Sequence, residues 1–236
     1  MQGDAYAPVS WSMGFLRAPL EVVAEGLVAW RREIHGSARG ERLSGGLFAN
    51  VSALEPLTAG VRPRELVVAT RNREWVGLFD NGVFGGDPVS TVGYLARRLG
   101  VDGVVVVSTL DVQGGTGRRA RSGSRQLQLF APTDTYFLNY VRTISVARDG
   151  SRWRFDANGA VQDFEDVEAY RRRRVADRFT LTMLADYAAA LGLKPFDPDF
   201  FTGPCVLVRN PETPPPGALV LSLRDAQRRA GIIPGD

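Results

Sequence analysis

The 236 residues contain one histidine, one cysteine and one lysine, so any mechanism built on imidazole, thiol or amine must use His35, Cys205 or Lys194. A Ser-His-Asp or Cys-His arrangement would hang on His35, and a two-histidine metal site is impossible. His35 falls in the last turn of a predicted helix beside Arg31 and Arg32, where cations favour the negative end of the helix dipole. That placement explains it without chemistry. Cys205 lies in the apolar run Pro204-Cys205-Val206-Leu207-Val208, with no basic neighbour before Arg209. A reactive thiol needs an electropositive, partly exposed setting, so a buried structural cysteine is expected.

The stretch Gly115-x-Gly117-x-x-Ala120 follows an apolar strand and is formally close to a dinucleotide fingerprint. Such a loop works only where a helix opens and aims its N-terminus at pyrophosphate, and Arg121-Ser-Gly-Ser-Arg125 is a poor helix start. No P-loop exists, since Lys194 is followed by Pro195. No nucleotide or other cofactor is expected. The same segment carries Arg118, Arg119, Arg121 and Arg125 with no acid between Asp111 and Asp134. These four are the candidates for gripping phosphates or an acidic partner surface. A second candidate is the turn after Glu74-Trp75-Val76-Gly77-Leu78-Phe79, where Asp80 and Asn81 could stand at a sheet end as a recognition surface.

Acids also gather at Asp163, Glu165, Asp166 and Glu168 and at Asp197 and Asp199. The first group suits a helix N-terminus and the second a turn; neither offers a third ligand by spacing, so no catalytic or metal site is assigned. On a helix, Arg171 to Arg174 would point around most of the circumference. Pairs such as Glu168 with Arg172 and Arg173 with Asp177 would then make a solvated, self-paired surface.

The elements that must position these groups follow from periodicity. Trp11, Met13 and Phe15 alternate as in a strand, and Leu20, Val23, Ala24, Leu27 and Ile34 repeat at helical spacing up to Gly36. Strands are expected over Glu65–Thr70 and Glu74–Asp80. A helix follows, with Asp87 as N-cap, Pro88 first, and Val92, Leu95, Ala96 and Leu99 on one face. The apolar strand Gly103–Leu110 would complete a strand-helix-strand crossover. After the strand Gln126–Phe130, a hairpin turning at Asp149-Gly150 sets Val146 opposite Trp153 and Ile144 opposite Phe155, and Asn158-Gly159 would start a third short strand. Helices are read over Phe164–Arg178 and Leu181–Leu191, then a strand over Cys205–Arg209, a proline-rich connector at 210–217 and a last helix around Leu223–Ala230. The Trp11 and Trp75 strand-plus-helix segments echo each other faintly. The expected fold is α+β: an antiparallel or mixed sheet with about five helices packed against it, in one globular domain over 1–236.

Composition narrows the class. Hydrophobic residues make up 44% and charged residues 23% of the chain, as in proteins with a packed core. No leader pattern opens Met1 to Ser10 and no run reaches the roughly 18 to 20 apolar residues of a membrane span, so a cytoplasmic protein is expected. The net charge is +3. With Lys194 the only lysine, arginine enrichment points to a GC-rich, bacterial coding sequence and weakens arguments from arginine clusters. The expected function is a non-enzymatic binding protein acting through a protein surface, such as an immunity or antitoxin-type antagonist. Nucleic-acid association through Arg118 to Arg125, and an enzyme using dispersed carboxylates and arginines, are the alternatives.

Overall fold

In the computed structural model, which describes residues 5–112 and 121–234, the chain is α+β. The strands are β1 (Ser12–Leu16), β2 (Arg39–Leu43), β3 (Leu57–Thr58), β4 (Arg64–Ala69), β5 (Val76–Asp80), β6 (Gly103–Thr109), β7 (Ser124–Phe130), β8 (Tyr140–Asp149), β9 (Arg152–Gly159), β10 (Cys205–Arg209) and β11 (Val220–Leu221). The helices are α1 (Leu20–His35), α2 (Leu47–Asn50), α3 (Val89–Leu99), α4 (Leu181–Ala190) and α5 (Leu223–Arg229). Nine strands form one antiparallel sheet in the order β2-β10-β4-β5-β1-β6-β7-β8-β9, and β3 pairs with β11 apart from it.

The middle of the sheet is built from two crossover units, β5-α3-β6 and β1-α1-β4, the latter with β2, α2 and β3 inserted between its helix and its second strand. Because β1 is antiparallel to both β5 and β6, the last two are parallel with β1 between them. The crossover read in the sequence is therefore present, split by an inserted strand. The four strands β4-β5-β1-β6 have the order and connectivity of a split βαβ arrangement. The faint echo in the sequence falls on its two halves, since one spacing separates Trp11 from Trp75, Phe15 from Phe79 and Gly36 from Gly100. Gly36 (φ +74°) and Gly100 (φ +68°) end α1 and α3 in the left-handed region that favours glycine.

Both helices lie on one side of the sheet, with Val23, Leu27, Val92 and Leu95 buried against Val67, Leu78, Val105 and Val206. They come close enough that a Cβ on Gly14 would stand 2.6 Å from Val92 Cγ2. The other side holds Phe15, Leu66, Phe79, Val106, Leu127, Ile144 and Val146 under α4, the segment 164–179 and the Phe200-Phe201 pair. No helix among the described residues is long and apolar enough to cross a membrane.

Four local expectations are corrected. Residues 164–178 form two 3-10 turns, Val167–Arg171 and Val175–Asp177, instead of one helix. The Arg142–Glu165 pair and the Tyr170 hydroxyl on the same carboxylate hold this segment against β8. Four consecutive arginines meanwhile offer no apolar stripe to support a helix. The ion pairs change accordingly to Arg171 with Glu168 and Arg172 with Asp166. In the hairpin, Asp149 faces Arg152, so Val146 meets Phe155 and Ile144 meets Ala157. The loop is Gly150-Ser151 because its first position takes φ +59°, which glycine adopts and aspartate resists. The pairing slips by two residues, which keeps every apolar side chain on its expected face. β9 is the edge of the sheet, and no third strand follows Gly159. Asp87 does not cap α3; its N–H donates to Asp80.

Candidate functional site

The arginines singled out in the sequence do not form one outward cluster among the described residues. Arg118 and Arg119 lie outside those residues. Arg121 pairs with Val112, donates Nε to the Leu110 carbonyl at 3.2 Å and stacks over Trp11 at 5.0 Å. Arg125 points under the sheet, donating to the carbonyls of Phe179 (2.7 Å) and Ala176 (2.9 Å) beside the Trp153 ring. It ties β7 to the second 3-10 turn and to the residues just after it.

Asp80 and Asn81 sit at the end of β5. Asn81 is buried and fully engaged: Oδ1 accepts the Arg64 N–H, Nδ2 donates to the Pro56 carbonyl, and its backbone pairs with Thr58 and Arg64. It fixes three segments together. The Asp80 carboxylate accepts N–H groups of Gly82 and Asp87, each at 2.9 Å. Opposite it on β4, Glu65 is buried and paired with Arg31, whose Nε donates at 2.7 Å; Arg31 also donates to Thr91 Oγ1. Burial, helped by the charges of Glu65 and Asp87 and opposed by the two N–H donors, pushes the Asp80 carboxyl up to about 6.

Neither Cys205 nor His35 shows an activated setting. The Cys205 thiol is buried, donates to the Gly45 carbonyl and is pushed up to about 11 by burial. Burial and the Arg31 charge hold His35 below its ordinary value.

The feature that sequence reading passed over lies on the α1/α3 side of the sheet. One cross-strand row runs through Val206, Val67, Leu78, Gly14 and Val105 beneath the helices. It continues through Gln128, Thr143 and Asn158 on β7, β8 and β9. On the opposite side of the same strands the row Val106, Leu127, Ile144, Ala157 stays apolar to the edge. The change from aliphatic to uncharged polar side chains at β7 marks where the helical cover ends. Gln126 and Ser145 extend the polar floor, and the hollow above it encloses about 850 Å³.

One wall of this hollow is the β7–β8 connection, residues 131–139. Tyr136 is fully exposed, with Phe137 at 66% and Leu138 at 59% exposure. The loop is nonetheless tightly held. Thr135 N–H donates to the Leu138 carbonyl at 2.7 Å, and Thr135 Oγ1 donates to the Tyr140 carbonyl at 2.8 Å. The buried Asn139 amide donates to Gly93 and Ala131. Asp134 pairs with Arg97 of α3, and Phe137 stacks on Tyr140. Leu138 takes φ +53°, a conformation that costs a non-glycine residue energy and persists only where its surroundings impose it. Three apolar side chains are therefore presented to solvent on a braced frame. The sequence signal was available: Tyr136-Phe137-Leu138 sits in a turn-forming stretch, where a packed core does not explain it.

No family model matches the chain, and no curated protein or solved structure matches it.

Proposed function

We propose that the chain is a bacterial cytoplasmic binding protein acting through a protein–protein surface, made of the open face of β7–β9 and the 131–139 loop. The observation that supports this reading is the braced display of Tyr136, Phe137 and Leu138 beside a floor of glutamine, threonine and serine on β7 and β8, with Asp156 opposite Ser145 on β9. Exposed aromatics with few charges are the composition of interface cores. A frame already held in one conformation lowers the ordering cost of association. The partner that fits is a folded protein offering an apolar projection to Tyr136 and Phe137, with hydrogen-bonding groups for Gln126, Gln128, Thr143 and Ser145. An antagonist of the immunity or antitoxin kind would use such a surface.

The test is affinity capture from the native cell extract with matched baits: the wild-type chain, Tyr136→Ala/Phe137→Ala, Ser145→Arg and the remote control Arg171→Ala. Support is one protein held near 1:1 by wild type and control and lost with both surface variants, the pair then re-forming from purified components. Retention of the same proteins by all four baits, or capture of nucleic acid alone, would sink the reading.

A further inference from the structure

A second hollow, on the opposite side of the sheet from the proposed surface, has a chemistry of its own. It encloses about 180 Å³ and lies between the N-terminal segment, α2 and residues 195–198. Its floor includes Phe79 and Phe201, both buried and packed edge to face at 5.2 Å between ring centres. Its rim is made by the partly exposed rings of Tyr6, Trp11, Phe48 and Phe196, with Tyr6 and Phe48 in contact at 4.5 Å. In a chain whose basic residues are almost all arginine, no arginine or lysine among the described residues lines this hollow, and the single charged residue among them that does is Asp197. Its Oδ1 accepts the Asp199 N–H at 3.0 Å, and among the described residues Asp197 forms no ion pair. Arg121 stacks over Trp11 and lines a separate hollow with Phe84 and Arg229.

We propose that this cleft binds a small organic cation, a primary amine carried on an aromatic or alkyl body. Aromatic faces are negative and attract ammonium groups, most strongly when water is excluded. A carboxylate with no cation of its own then supplies a charge-assisted hydrogen bond to the ammonium, roughly twice the strength of a neutral one. The body enters among the rings and the amine stays at the mouth against Asp197. An anionic ligand would meet the same carboxylate and the same negative ring faces unfavourably.

Three soluble probes with a common ring separate the possibilities: phenethylamine, 2-phenylethanol and 3-phenylpropionate, titrated into the full chain by calorimetry and by tryptophan fluorescence. The amine is expected to bind at least about tenfold more tightly than the alcohol, and the acid weakest. Asp197→Asn keeps the oxygen that accepts the Asp199 N–H, so folding should be preserved; it should weaken the amine about tenfold and leave the alcohol unchanged. Phe196→Leu keeps an apolar wall without the ring, and should weaken the amine several-fold more than the alcohol. Equal affinity for amine and alcohol, tighter binding of the acid, no binding of any probe, or an amine affinity untouched by Asp197→Asn would each overturn the proposal. The cleft is distinct from the β7–β9 face, so either site can fail without the other.

Discussion

Replacing Asp80 with asparagine isolates the cost of ionising a carboxyl that faces Glu65. Burial holds the Asp80 carboxyl at about 6 against an ordinary 3.8, with the Glu65 and Asp87 charges adding to the shift and the Gly82 and Asp87 N–H donors opposing it. The folded chain therefore keeps this proton to a higher pH than the unfolded chain does. Between these values the native state binds more protons, so stability falls as pH rises. The contribution of Asp80 is complete below about pH 4 and is lost as pH climbs through about 6. A gap of about 2 pH units corresponds to about 3 kcal/mol. Asparagine does not ionise, so the stability of Asp80→Asn relative to wild type should improve by about 3 kcal/mol between about pH 4 and pH 8. Its single amide oxygen can accept from only one of the two backbone donors, which bind different carboxylate oxygens, and the unmade bond costs about 1 to 3 kcal/mol. That loss displaces the whole curve and leaves its slope alone. Urea unfolding of both proteins across this range measures the difference, and carboxyls that do not interact with Asp80 cancel because both chains carry them. Parallel curves, or a wild type that gains on the variant as pH rises, would refute the assignment.

Other perturbations follow from equally local geometry. Glu165 is fully buried against Arg142, which is 4% exposed, so Glu165→Gln should cost about 3 to 5 kcal/mol by leaving the guanidinium without its counter-charge. The double variant Arg142→Met/Glu165→Leu should recover most of that loss, and a single-variant cost under about 1 kcal/mol in urea unfolding would contradict a buried pair. Leu138→Gly relieves about 1 to 2 kcal/mol of left-handed strain and adds about 0.5 to 1 kcal/mol of unfolded-chain entropy. The net expectation is a slightly raised melting temperature, and a clear fall would show that the frame does not impose the conformation. The Cys205 thiol, raised to about 11 and buried, should resist iodoacetamide in the native protein and react once urea unfolds it; fast native labelling would contradict its burial.

How much of this was legible before the structure depends on where the determining contacts lie. α1, α3, β4, β5 and β10 were readable because apolar period, glycine stops and strand length are local properties. The 164–178 segment was misread because its conformation is set from outside, by the Arg142–Glu165 pair and the Tyr170 and Tyr187 hydroxyls. The hairpin slip came from one choice, whether Asp149 or Gly150 opens the loop. Asp80 and Asn81 were picked out as polar residues at a strand end; what neighbouring backbone would reach them was not readable from spacing. Tyr136, Phe137 and Leu138 stand in a turn-forming stretch that already argues against a core position, but their place beside an open sheet face follows only from the strand order.

The location of the open face follows from widths. An α-helix is about 10 Å across and neighbouring strands are about 4.8 Å apart, so two packed helices cover about four strands. The bodies of α1 and α3 lie over the strands from β10 to β6, and their outer side chains reach β2 on one flank and β7 on the other, where the cover stops. A sheet of nine strands must then expose one of its faces beyond that cover or find another element to close it. On the far side the chain closes it with α4 and residues 164–179, and there β7 and β8 carry Leu127, Ile144 and Val146. On the near side no element among the described residues returns over β8 and β9, and β7 and β8 present Gln128, Thr143 and Ser145, side chains that tolerate water. Solvation alone would be served by polar residues throughout. It does not explain three exposed apolar side chains on a loop held by buried Asn139 and strained at Leu138, because a loop facing only water gains nothing from either. That conflict between local cost and solvent exposure is the physical ground for proposing a binding surface here and not at the arginines, two of which are anchored to backbone carbonyls.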